Sequence, residues 1–198
     1  EGSDAAFTWE GFQAAVNSDL ANVLGNFVNR ITKYCVSKFD GVVPDGGEPG
    51  EAEAWITAEL AERLPRLIEY YEAMEFRKAA AETRAIWAAG NEYLTKAEPW
   101  VKYKSDVDAA AVGVRTGLNL AALFGILCLP IIPETGAKIL DALGIPQEHW
   151  NFNFRSPEGV LNALPPGLAI TPPDVLFQKI EDEQVAAWTE QFGGGNPA

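Results

Sequence analysis

Apolar residues recur along most of this chain at three- and four-residue steps, the spacing that lines one face of an α-helix. Thr8 can cap a short helix running to Val16, with Trp9, Phe12 and Val16 on one side. Asn17 or Ser18 then predicts a second start. From there Leu20, Leu24, Phe27, Val28, Ile31, Cys35 and Phe39 form the stripe of a longer helix ended by Asp40-Gly41. Residues 41–50 are rich in Gly and Pro and read as a loop. A third stripe runs from about Glu51 to Ala73 through Trp55, Ile56, Leu60, Leu64, Leu67, Ile68 and Tyr71. Pro65 lies inside it and should bend it, because proline removes a donor and crowds the preceding turn. After a break near Met74-Glu75, a helix over Phe76–Lys96 presents Ala79, Ala80, Thr83 and Gly90 beside Ile86 and Trp87. Residues this small admit another helix at close range. Pro99 stops this helix.

Residues 107–129 read as a very apolar helix, and Gly117 to Ile132 could suggest a membrane span. That run is short for one, and Arg115 and Asn119 interrupt the first half of the helix, so a buried central helix is expected. Pro130 and Pro133 end it, and a helix over Glu134–Leu143 follows. Beyond Gly144 the chain changes to Pro, Gly and isolated aromatics. The pattern predicts an all-α protein: an up-down helical bundle over 1–145 and an irregular C-terminal extension over 146–198. The extension should hold a short helix near 181–192 and a disordered tail from Gly193. No internal period of 20–50 residues suggests a solenoid.

The 198 residues are 47% hydrophobic and include six Trp and ten Phe, a globular composition. The opening Glu1-Gly2-Ser3-Asp4 has no initiator Met and reads as a piece of something longer, with no signal peptide. Net charge is −13, which taken alone argues against nucleic acid. The distribution modifies this. Eight acids against two arginines fall between Asp45 and Glu72, and Glu181, Asp182 and Glu183 cluster near the end. The stretches Asp19–Asp40 and Glu75–Lys104 are mildly basic, at +1 and +2.

Several chemistries are absent. Cys35 and Cys128 lie in apolar helical stretches and read as buried thiols. One His and no Cys-x-x-Cys spacing argue against zinc. His149, between Glu148 and Trp150, reads as a loop residue without a triad. No glycine-rich phosphate loop follows a strand, and Glu69, Glu72 and Glu75 lack the His partners of a di-iron site.

Two features could address a nucleobase. Opposite the apolar stripe of the second helix stand Asn22, Asn26, Asn29, Arg30 and Lys33, with Asn22, Asn26 and Arg30 at four-residue steps. Asn is a weak helix former, so this many on one helix is unusual for a merely solvated surface. An amide and a guanidinium fork can together address a base edge. The plainer alternative has these amides bonded to neighbouring loops, which is the stronger expectation for Asn22 and Asn29. The second feature is Asn91-Glu92-Tyr93 followed by Pro99-Trp100, with Lys102 and Lys104 nearby. Trp100 could present its ring to an unstacked base or cap the core.

The string Asn17-Ser18-Asp19-Leu20-Ala21-Asn22-Val23-Leu24-Gly25-Asn26-Phe27-Val28-Asn29-Arg30 resembles the start of the anticodon-binding domain of methionyl-tRNA synthetases. Asn91-x-Tyr93 with Pro99-Trp100 resembles the same family. Phe7-Thr8-Trp9-Glu10-x-Phe12 is similar to the segment by which that family leaves its catalytic domain. Pro172-Pro173 with Leu176-Phe177-x-Lys179-Ile180-Glu181 resembles the tail that often ends the family's core. The opening string is shared more widely among class I synthetases, and Pro-Trp after Asn-x-Tyr narrows it to the methionine enzymes.

The resemblance implies that Asn26, Arg30 and Trp100 contact a CAU anticodon, with the tryptophan stacking on its first base. Asn22, Asn91 and Tyr93 would support them. It implies a parent ligase that uses ATP and Mg to join methionine to tRNA(Met) in the cytoplasm. This segment would carry no catalytic residue, cofactor or metal. Its partners would be tRNA(Met) and the parent's own catalytic domain, with no membrane or DNA partner. The ATP-binding signatures and the zinc-bearing insertion of the family are missing here. The acidity predicts weak, salt-sensitive RNA binding by the isolated piece. Two alternatives remain: an anticodon domain for valine, leucine, isoleucine or cysteine, and a helical interaction module without RNA.

Overall fold

Thr8 caps the first helix as its side-chain chemistry predicts: its hydroxyl accepts the Gly11 amide at 3.0 Å, and α1 runs over Trp9–Ala15. The computed structural model describes residues 6–150 and 154–192. The expected break at Asn17-Ser18 does not occur. Backbone hydrogen bonding continues through a π-helical stretch, Val16–Gly25, directly into α2, Asn26–Phe39. In a π-helix each amide reaches five residues back, as the Asn26 amide does to the Ala21 carbonyl. Asn17 is therefore not a cap. Its amide is used elsewhere, because the extension packs beside it.

Asp40 ends α2 in the left-handed region at φ 53, and Gly41 follows at φ 71. Helix α3, Glu51–Glu72, passes Pro65 without interruption. Met74, at φ 55, makes the turn into α4, Phe76–Ala97. Glu98, at φ 44, ends α4 and opens the short α5, Pro99–Lys102. Asp106 caps α6, Val107–Cys128, by accepting the Ala109 amide at 2.9 Å.

Helix α6 is the centre of the bundle. From Ala110 to Cys128 every residue but Arg115 is buried. It is long and apolar enough to cross a membrane, but 94% of its most apolar window is covered by the bundle. Helices α2, α4, α5 and α7 (Pro133–Ala142) pack around it. Close approach is bought with small residues: a Cβ at Gly90 would meet Phe124 Cζ at 2.5 Å, and one at Gly117 would meet Ile31 at 2.7 Å. Asn119, fully buried, bonds the Arg115 carbonyl and accepts the Leu164 amide at 2.8 Å. The polar residue that interrupts the apolar run thus ties the core to the extension.

The extension holds one turn of 3₁₀ helix (Gln147–His149), α8 (Pro157–Leu161) and α9 (Asp182–Phe192). His149 is exposed in the 3₁₀ turn. Residues 167–171 run beside the loop after α2: the Val43 amide bonds Leu168 O at 2.8 Å, Gly167 bonds Val43 O at 2.9 Å and Ile170 bonds Gly41 O at 2.8 Å. The chain then crosses to the first helix and α9 packs on α1. There Phe7, Trp9, Phe12, Trp188 and Phe192 form a cluster in which Phe7 and Phe192 remain more than half exposed. The tail expected to be disordered, from Gly193, lies outside the described residues.

Both thiols are buried and free. Burial pushes Cys35 up to about 11 and Cys128 to about 12 from an ordinary 9.0, so both are inert neutral groups.

Candidate nucleic-acid interface

Helix α2 spends its apolar side on α6 and leaves the opposite side to solvent. On that side Asn26 and Arg30 are exposed. They are four residues apart, one turn of helix. Pro99, buried at the start of α5, anchors the backbone so that Trp100 emerges next to α2. The Arg30 guanidinium carbon lies 4.5 Å from the centroid of the Trp100 ring. This is a cation on an aromatic face, which pre-orients both groups. Tyr34, one turn beyond Arg30, meets Trp100 edge-on with centroids 6.1 Å apart, and its hydroxyl donates to the Pro99 carbonyl at 3.4 Å. Burial first, and Tyr103 alongside second, push the Tyr34 phenol above its ordinary value, so it remains a donor. Trp100 is half-buried, with its position fixed from below and its flank shared with Arg30.

Toward the start of α2 the surface opens into a cleft of about 430 Å³. Asn22, Asn26 and Asn29 line one wall, and Pro173, Phe177 and Lys179 of the extension line the other. Asn22 and Asn29 were expected to bond to neighbouring loops. Among the described residues no hydrogen-bond partner takes either amide, or that of Asn26. The amide that does bond the extension is Asn17, to Ile180. Three amides with unspent donors and acceptors therefore converge on one cleft.

Asn91 and Tyr93 lie below this surface. The Asn91 amide donates to Val23 O at 3.2 Å and to Trp87 O at 3.0 Å, tying α4 to the π-helical stretch. Tyr93 is fully buried and donates to Glu53 Oε1 at 2.5 Å. Burial, and then the Glu53 charge beside it, push its phenol far above the usual range. Both are bundle residues whose contact with the exposed surface is indirect. Tyr34, Lys38 and Tyr103 join the site only in the structure, and the sequence signal for two of them is that Arg30, Tyr34 and Lys38 repeat at four-residue steps. Among the described residues, no group of three or more His, Cys, Asp or Glu side chains is placed to hold a metal.

Part of the acidic charge is paired away from this surface. Glu82, only 8% exposed, takes Arg63 at 3.0 Å and Arg66 at 3.6 Å across α3 and α4. Arg30, Lys33, Lys38, Lys102 and Lys104 form no ion pair among the described residues.

The same helical arrangement occurs in a solved aminoacyl-tRNA synthetase. The apo methionyl-tRNA synthetase of Mycobacterium tuberculosis superposes with a TM-score of 0.80 at 28% identity, over 91% of this chain and 36% of that one. The family described as the anticodon binding domain of methionyl tRNA ligase matches residues 43–197, that of class I (M) tRNA synthetases matches residues 1–32, and the chain belongs to the methionyl-tRNA ligase family. Methionine–tRNA ligase of Hyphomonas neptunium is 75% identical over 98% of this chain and 34% of its own length. That of Maricaulis maris is 73% identical over 100% of this chain and 35% of its length. The chain therefore spans about a third of the length of these relatives.

Proposed function

We propose that this chain reads the CAU anticodon of tRNA(Met), with Asn26, Arg30 and Trp100 as the contact residues. The observation that carries the reading is the Arg30–Trp100 stack, with Asn26 one turn away on the same exposed side of α2. A base swung out of an RNA loop can lie on the indole, while the amide and the guanidinium offer donors and an acceptor to base edges. Arg30 suits this because its planar fork can rest on a ring and still donate. Asn22 supports the cleft edge, and Asn91 and Tyr93 hold α4 so that the surface keeps its shape.

In the intact protein we assign methionine activation, with ATP and Mg, to a catalytic domain outside this chain, in the cytoplasm. The aromatic cluster of Phe7, Trp9, Phe12, Trp188 and Phe192 is the face on which that domain would rest.

The test is binding of this chain to stem-loop RNAs carrying CAU or UAU in the loop. The CAU hairpin should bind more tightly, and Trp100→Ala should remove most of the difference. Equal binding of the two hairpins by the unmodified chain would overturn the reading.

A further inference from the structure

Arg30, Tyr34 and Lys38 stand at four-residue steps on one side of α2. Facing them are Trp100 in α5 and Tyr103 just after it. The contact made at one end is repeated at the other. Arg30 lies 4.5 Å from the Trp100 centroid, and Lys38 Nζ lies 5.5 Å from the Tyr103 centroid. Tyr34 sits between and meets both rings edge-on, at 6.1 and 6.3 Å. Phe39 continues the row, 5.5 Å from Tyr103. The Tyr103 hydroxyl donates to the Lys38 carbonyl at 3.3 Å, which fixes the ring against α2. The aromatic row thus extends two helical turns, roughly 12 Å, beyond the Arg30–Trp100 stack.

The cations on this row and on the exposed surface beside it are not consumed by the fold. Lys33, Lys38 and Lys104 are exposed, and they form no ion pair among the described residues in a protein of net charge −13. On α3 and α4, by contrast, Arg63, Arg66, Arg84 and Lys96 are each paired with a carboxylate. A lone exposed lysine over the half-buried Tyr103 ring is held loosely and can swing to a nearby anion.

We propose that Lys33, Lys38 and Tyr103 form a second RNA contact, which holds the loop backbone and one unstacked base on the side away from Trp100. The inference rests on the reading of Arg30 and Trp100 as an anticodon contact. An acidic peptide would satisfy the lysines but would leave the rings without a stacking partner. A single RNA strand supplies phosphates and bases together. This contact would add affinity without choosing the triplet, because phosphates carry no sequence and a ring accepts any base face.

The experiment titrates the 198-residue chain with the CAU and UAU stem-loop RNAs over a range of salt concentrations. Lys33→Ala and Lys38→Ala should each weaken both RNAs alike and lower the slope of log affinity against log salt by about 0.7–0.9. The CAU-to-UAU ratio should not change. Tyr103→Ala should weaken both RNAs by roughly 5- to 150-fold, with Tyr103→Phe retaining most of the affinity. Unchanged salt slopes in both lysine variants, with Trp100→Ala still erasing the triplet preference, would overturn this second contact and leave the first standing. Competition by polyglutamate as effective as that by the UAU hairpin would also overturn it. A CAU-to-UAU ratio unaffected by Trp100→Ala would sink the anticodon reading itself.

Discussion

The side-chain amide of Asn17 stands in for a β-strand neighbour of Ile180: its Nδ2 donates to the Ile180 carbonyl and its Oδ1 accepts the Ile180 amide, both at 2.8 Å. Gln13 adds bonds to the same carbonyl at 3.1 Å and to Asp182 at 2.8 Å. Amides of α1 and the π-helical stretch thereby latch the extension beside the aromatic contact that α9 makes with α1. Asn17→Ala should cost about 1–3 kcal/mol locally, because two bonds to a half-buried backbone are lost together. Hydrogen exchange around Ile180 should accelerate while the α6 core keeps its protection. Uniform loosening of both regions would show that the latch is part of the global fold.

Tyr93 and Glu53 give a second measurable case. Glu53 is only 7% exposed and accepts the Tyr93 hydroxyl on one oxygen and the Gly50 amide, at 2.8 Å, on the other. Tyr93→Phe leaves that oxygen short of its donor and should destabilise the chain by about 1–3 kcal/mol in denaturant unfolding. RNA preference should be unchanged in folded protein, since Tyr93 acts through the bundle. A selective loss of the CAU preference at unchanged stability would contradict this placement.

Gly90 tests how tightly α4 approaches its neighbours. An added methyl would meet Phe124 Cζ at 2.5 Å and Phe27 Cε2 at 3.2 Å. Gly90→Ala should therefore lower stability by about 1–3 kcal/mol, despite the better helix propensity of alanine. A stabilised variant would mean that the two rings can move aside freely.

Stability should also depend on alkaline pH. Both thiols are harder to ionise when folded, with Cys35 raised to about 11 and Cys128 to about 12. The unfolded chain then releases protons first as pH rises past 9. The thiol contribution is fully present below that pH and is lost between about 9 and 12. Thermal midpoints should be flat up to pH 9 as far as the thiols are concerned. The Cys35→Ser, Cys128→Ser double variant should lose part of the decline above it; an unaltered decline would assign the effect to other groups.

Arg30→Lys keeps the charge but loses the planar fork. If the guanidinium acts through its stacked geometry, this variant should lose most of the CAU-over-UAU preference while the salt slope stays close to that of the parent. Full retention of the preference would reduce Arg30 to a point charge.

The stripe Leu20–Phe39, the small-residue face of α4 and the apolar run of α6 determined the helical class from sequence, because helical spacing is a local property of the chain. The same holds for the helix ends at Thr8 and Asp40-Gly41, and the Asn26, Arg30 and Trp100 candidates were visible as residue types at telling positions. The tertiary structure decided where the amides went. Asn17 looked like a helix cap, yet it bonds a residue 163 positions away. Asn22 and Asn29 looked like loop partners, yet they line an open cleft. Tyr34 became a neighbour of Trp100 and Tyr103 only when Glu98 turned α5 back against α2. Hydrogen bonds and ring contacts between distant segments depend on how helices cross, and periodicity within one helix carries no information about its neighbour.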